Sequence, residues 1–187
     1  MIDFGTVYQS AQDYHPFLDS HGSEMDRKKW QMVYDKVALN DQQLELLAGF
    51  RRQIKILCMA GAWCGDCVRQ CPILFKFSEI QPKIELRFID RDANEELKNE
   101  LVICGAARVP QVVFLSEDDA PVGRYGDRTI SYYRDMDAKI EGASCSTGLV
   151  ADHDPVFEAV IADWLLELER IHLILRTSPR LREKHGD

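Results

Sequence analysis

Two cysteines separated by two residues, Cys64-Gly65-Asp66-Cys67, stand where an apolar run, Ile54-Lys55-Ile56-Leu57-Cys58-Met59-Ala60, gives way to a helical pattern from about Cys64 to Ser78. Thiols at this spacing can close a small disulfide ring across the first turn of a helix. The first sulfur then lies at the helix N-terminus, where unpaired N–H groups and the positive end of the dipole favour a thiolate. A thiolate attacks disulfides, and a second thiol nearby resolves the mixed disulfide that forms. The chemistry indicated is dithiol–disulfide exchange. Zinc sites use the same spacing, so the surrounding elements must decide between the two.

Six cysteines occur, at 58, 64, 67, 71, 104 and 145, and four of them fall between 58 and 71. A secreted disulfide framework spreads its cysteines and serves chains too short to build a core. A cluster in a chain of this length is instead redox-active or metal-binding. Cys64-x2-Cys67-x3-Cys71-Pro72 is similar to one ferredoxin-type run of ligands, and Cys58 or Cys104 could supply a fourth. Against that reading, the run lies on a predicted regular helix with one glycine, whereas cluster loops are irregular and glycine-rich. No metal and no organic cofactor is expected. The five histidines are scattered without paired ligand spacing, and Glu117-Asp118-Asp119 and Asp152-His153-Asp154 read as turns and caps.

The chain has 187 residues and a formal net charge of -8. That charge, with no basic stripe, argues against nucleic-acid binding. No apolar run reaches membrane-spanning length, and the N-terminus lacks the pattern of a secretory signal, so a cytoplasmic protein is expected.

The elements that position the cysteines follow from periodicity and punctuation. Residues 1–53 read as a helical extension. Phe4, Val7, Tyr8, Ala11 and Tyr14 share a helical face ended by His15-Pro16. Ser23 to Asp26 forms a possible capping box for a second helix carrying Trp30, Val33, Tyr34 and Val37. Asn40 to Gln43 opens a third, with Leu44, Leu47 and Ala48 inward. These helices read as cover for the core, or alternatively as a partner-docking arm. Residues 54–141 hold the core: the Ile54 strand, the cysteine helix, an alternating strand over Lys83–Asp90, a helix from Ala93 to Ile103 ended by Cys104-Gly105, a strand over Val109–Leu115, a return strand over Pro121–Tyr125, and a helix over Ile130–Ile140. Residues 142–187 comprise a Gly/Ser-rich loop with Cys145, then a long amphipathic helix opened by Asp154-Pro155, then a frayed, charged end from Ser178.

Trp63 before the first cysteine, Gly65 between the pair, Pro72 inside the helix and Val109-Pro110 about 43 residues after Cys67 occur together and in order. This combination resembles the thioredoxin family over roughly Ile54 to Ile140. The resemblance implies an α/β, thioredoxin-like fold: a central mixed sheet flanked by helices, here with additional N-terminal and C-terminal helices. The family's usual first strand is not evident, which leaves four. It also implies that Cys64 is the attacking thiolate, Cys67 the buried resolving thiol, and Pro110 a cis proline facing the disulfide. Trp63, Val109 and Pro110 would contact substrate, and Gly65 would allow close backbone approach.

The chain departs from the family pattern at three places. Asp66 stands where proline is common; beside Cys64 its carboxylate disfavours the thiolate and makes the couple reducing, whereas pointing into water it is screened. Cys58 stands where the family has a buried acid implicated in proton transfer, and the lysine that often partners that acid aligns near Leu86. Cys71, one helical turn after Cys67, shares its face. Cys58 and Cys71 are then either small apolar core residues or a second pair of thiols behind the first. The expected function is a thiol–disulfide oxidoreductase that reduces disulfides through Cys64 and Cys67, with a disulfide-containing protein or small-thiol substrate and a separate reductase as partners. The alternatives are a non-catalytic redox sensor or partner-binding module and, third, a metal or iron–sulfur protein using Cys58, Cys64, Cys67 and Cys71.

Overall fold

The computed structural model of the protein describes residues 2–140 and 154–187; the loop with Cys145 lies outside the described residues. The apolar run before the cysteine pair forms strand β1 (Ile54–Ala60), buried along almost its whole length. A strand buried on both faces belongs in the middle of a covered sheet. β1 accordingly pairs in parallel with β2 (Ile84–Asp90) and antiparallel with β3 (Gln111–Leu115), which pairs in turn with β4 (Pro121–Gly126). The four-stranded order is β2-β1-β3-β4. This register places Cys58 between Phe88 and Val112. Along the outer edge of β2, Gln12 makes an isolated antiparallel bridge to Phe88, with N···O distances of 2.8 and 2.6 Å. One residue thus covers part of an edge that a further strand could have paired.

The N-terminal extension forms α1 (Phe4–Ser10), α2 (Tyr14–His21), α3 (Glu24–Tyr34) and α4 (Asp41–Ala48). Both expected capping boxes are present, at Ser23/Asp26 and Asn40/Gln43. Pro16 does not end a helix as expected; it lies in the first turn of α2. The missing N–H of a proline costs little there, because first-turn donors have no intrahelical acceptor. Leu44 and Ala48 were expected inward, but both are exposed; Leu47 is buried and Leu46 half-buried. A helix this short meets the core along a narrow stripe. Trp30 is fully buried and sits in an aromatic cluster with Tyr14, Phe17 and Phe88, at ring separations of 5.6, 6.1 and 6.1 Å.

The cysteine helix, α5 (Gly65–Ile80), carries Pro72 inside it and packs against α3, α4 and β2. The next helix, α6, covers only Glu95–Glu100, not the run to Ile103, and its C-cap is Leu101 rather than Gly105. Cys104 and Gly105 both take positive φ, at 52° and 76°, in a turn closed by an Ile103–Ala106 bridge. α7 (Ile130–Ala138) follows β4. α8 (Pro155–Thr177), capped by Asp154, packs on α5, α7 and β4. The charged end is not frayed: it forms α9 (Pro179–His185), with Leu181 buried and with Arg180 and Lys184 paired to Asp118 and Glu117. Among the described residues, no helix is long and apolar enough to cross a membrane.

Candidate active site

The end of β1 and the start of α5 are joined by a turn whose backbone is held from several sides. Cys64 N–H donates to the Gly61 carbonyl at 2.9 Å, and the Trp30 indole N–H donates to the Ala62 carbonyl at 2.8 Å. A Cβ at Gly61 would lie 2.9–3.1 Å from the Trp63 indole, so the ring can fold over this turn only if residue 61 is glycine. Cys64 is the N-cap of α5, and its own side chain makes no cap hydrogen bond. Its sulfur lies at the end of the helix where positive potential collects. Cys64 is partly exposed, whereas Cys67, one turn into α5, is fully buried. Both are free thiols.

The two thiols are electrically one unit. Cys64 Sγ can donate to the Val109 carbonyl, 3.5 Å away, and it also hydrogen-bonds Cys67. That bond to Cys67, together with burial, pushes the Cys64 thiol up. Burial opposes charge on Cys67, yet hydrogen bonds from Cys64, Cys71 and the Gly61 N–H outweigh it and bring Cys67 down to about 5. The contact between the two thiols thus favours charge on Cys67 over charge on Cys64. A proton passed from Cys64 to a Cys67 thiolate puts the charge on the sulfur that solvent can reach.

Facing the pair, the Val109–Pro110 peptide bond is cis, and both residues are buried. The loop that presents it is fastened by Gln111, whose Nε2 donates to the Leu101 carbonyl and to the Arg108 carbonyl, the latter at 2.9 Å. Gly126, at φ +136°, lies against the same loop; a Cβ there would meet the Pro110 carbonyl oxygen at 2.6 Å. Trp63 is 54% exposed, and the Arg91 guanidinium lies 4.8 Å from its ring centroid.

The Asp66 carboxylate does not point freely into water, and its charge opposes a thiolate on Cys64 and on Cys67, as one of the two expectations had it. It is ion-paired with Arg128, and both side chains are largely buried. Arg128 also reaches Asp127 at 3.2 Å, and Asp127 is held by Arg108 at 3.6 Å and by the Tyr133 hydroxyl. The Asp127 carbonyl accepts from Gln70 on α5 at 2.9 Å. This polar belt joins α5 to the β4–α7 turn. No sequence signal marked Arg91, Gln70, Asp127 or Arg128, because single charged or amide residues in turns and helices carry no periodic signature.

Behind the pair, Cys58 and Cys71 are fully buried with their sulfurs 3.9 Å apart, and Cys71 also hydrogen-bonds Cys67. Cys58 brings no carboxylate to this position. Leu86, aligned with the lysine that often partners such an acid, is half-buried on β2 opposite Ile56. Among the described residues, no group of three or more His, Cys, Asp or Glu side chains is arranged to hold a metal ion.

A thioredoxin family model matches residues 12–137 of the chain. A Pseudomonas aeruginosa protein of unknown function, known from a crystal structure, is 22% identical, with 91% of this chain and 99% of that one aligned at a TM-score of 0.71. An HIV epitope-scaffold is 21% identical, with 89% and 98% aligned at a TM-score of 0.66. At these identities the likeness shows a common fold, and its extent takes in the flanking helices as well as the core. No curated protein matches the chain.

Proposed function

The chain belongs to the thioredoxin family, and from that premise we propose that it is a thiol–disulfide oxidoreductase that reduces disulfides through Cys64 and Cys67. The observation that carries this reading is the unequal exposure of two neighbouring free thiols: Cys64 reaches the surface at the N-cap of α5, and Cys67 lies wholly behind it. A substrate disulfide can meet only Cys64. Its thiolate attacks one substrate sulfur, the substrate S–S bond breaks, and the departing sulfur takes a proton. Cys67 then attacks the Cys64 side of the mixed disulfide. The second substrate thiol is released, and the Cys64–Cys67 disulfide remains. A separate reductase or small thiol returns the two electrons.

The surroundings support these steps. The Val109 carbonyl accepts from Cys64 in the resting dithiol. Trp63 and Val109-Pro110 border the reacting sulfur and supply apolar and backbone contacts for an extended substrate segment.

The test is a trapping experiment with a disulfide-bonded protein substrate. Cys64→Ser should abolish reduction, a loss of at least about 1,000-fold, because serine is not an exchanging nucleophile. Cys67→Ser should accumulate a mixed disulfide on Cys64 that mass spectrometry can locate. Full activity in Cys64→Ser would overturn the reading. Slow exchange accompanied by tight, redox-dependent partner binding would favour a binding module instead.

A further inference from the structure

Two thiols remain in the core that the exchange just described does not use. Cys58 enters from the middle of β1 and Cys71 from the second turn of α5. Their sulfurs face each other at 3.9 Å, with neither residue exposed. A buried free cysteine alone is an ordinary small apolar residue. These two differ because Cys71 follows Cys67 by one turn on the same face of α5, and Cys67 in turn lies one turn behind Cys64 at the N-cap. Four cysteines therefore follow one another from the surface into the core, in the order Cys64, Cys67, Cys71, Cys58, the last three fully buried and the last two with sulfurs 3.9 Å apart. Proximity of successive sulfurs is the geometric requirement for passing a disulfide inward.

We infer that Cys58 and Cys71 form a second, buried dithiol couple that returns electrons to the Cys64–Cys67 disulfide within the same chain. The inference rests on the reading of Cys64 and Cys67 as the exchanging pair. The transfer takes two steps. The Cys71 thiolate attacks Cys67 Sγ, the Cys64–Cys67 bond breaks, and the proton given up by Cys71 ends on Cys64. Cys58 then attacks Cys71 Sγ, the Cys67–Cys71 bond breaks, and the Cys58 proton ends on Cys67. The sum is one disulfide moved inward: Cys58 and Cys71 are oxidised by two electrons, and Cys64 and Cys67 are reduced by two. No outside oxidant or reductant enters.

The intermediate suits a step that must not persist. Residues four apart on a helix have Cβ atoms about 5–6 Å apart, wider than the roughly 3.8 Å that a relaxed disulfide prefers. A Cys67–Cys71 bond is therefore easily attacked by Cys58. The final bond requires the Cys58 and Cys71 sulfurs to close from 3.9 Å to about 2 Å, a side-chain movement across one β-strand–helix contact. Burial pushes the Cys71 thiol up, so the transfer should quicken as pH rises.

The consequence is a doubled electron capacity, which single-turnover stoichiometry reads directly. The chain is fully reduced, freed of reductant, and mixed anaerobically with excess disulfide-bonded protein substrate. Released substrate thiols are counted, and the chain is then alkylated and its disulfides mapped by mass spectrometry. About two substrate disulfides reduced per chain, with a Cys58–Cys71 linkage in the map, is the expected result. Cys58→Ala should lower the yield to about one. One disulfide per chain in the wild type, with Cys64–Cys67 linked and Cys58 and Cys71 alkylated, overturns the inference and leaves the proposed function standing. A second equivalent traced to Cys104 or Cys145 overturns it equally. No substrate reduced, with Cys64 and Cys67 still alkylatable, overturns both. The wild-type map decides the matter even where a core substitution impairs folding.

Discussion

Asp66 lies between the two reactive thiols in sequence, yet its carboxylate is engaged by Arg128. That carboxylate still opposes a thiolate at Cys64, and the guanidinium paired with it, itself bound to Asp127, moderates its field. Arg128→Met should release that negative charge and slow iodoacetamide alkylation of Cys64 at neutral pH by roughly threefold, the effect of an ion-pair energy of about 0.7 kcal/mol. Adding Asp66→Asn should restore the alkylation rate without restoring the stability lost around Asp127. An unchanged rate in Arg128→Met would mean that Asp66 exerts no field on the dithiol. The residues that this experiment probes differ in how far the sequence disclosed them. Cys64, Cys67 and Val109-Pro110 were legible because their spacing is itself the signal. Arg128 was not, because it acts through a partner sixty-two positions away.

Helix starts were readable where a local hydrogen bond defines them. Ser23, Asn40 and Asp154 each accept backbone N–H groups of the first turn that follows them. Helix ends were less readable: α6 stops early, and α9 exists because Leu181 is buried and its cations meet Glu117 and Asp118 from the β3–β4 turn. Those partners are remote in sequence, so local composition suggested only a solvated tail. Asp154 joins the two kinds of information, since it caps α8 and pairs with the buried Arg69 on α5 at 2.7 Å. Asp154→Ala should cost about 2–4 kcal/mol, lowering Tm by roughly 5–15 °C. Asp154→Asn keeps the cap and should lose less. Burial opposes charge on Asp154, but the Arg69 hydrogen bond and the cap N–H groups outweigh it and hold its carboxyl below the ordinary aspartate range. A carboxylate depressed in the folded state contributes stability above its unfolded pKa and loses it as pH falls through the folded value. The acid limb of the wild-type Tm profile below about pH 4 should therefore flatten in Asp154→Asn. Equal Tm for wild type and Asp154→Ala would show that α8 is held by its apolar face alone.

At the scale of the whole molecule, the N-terminal helices read from the sequence as cover or as a docking arm. Their packing determines what their removal would do. Phe4, Tyr8, Tyr14, Phe17, Trp30, Leu47 and Phe50 are all buried in the common core cluster, and each such side chain contributes about 1.5–3 kcal/mol. A handful of them equals the roughly 5–15 kcal/mol that holds a domain together. The same helices brace the reactive turn from behind through Trp30 and the Ala62 carbonyl, while leaving Trp63 exposed at the front. A lid would do the reverse. Deleting residues 1–50 should therefore yield a chain without a cooperative thermal transition and with all its cysteines rapidly alkylated, rather than a folded core with faster exchange at Cys64 alone. In the intact protein, limited proteolysis should leave the segment from α1 to β1 uncut under conditions that digest an unfolded control. A truncated chain that kept a sharp transition, kept Cys58 and Cys71 protected, and exchanged faster at Cys64 would assign these helices to gating and would make the brace through Trp30 dispensable.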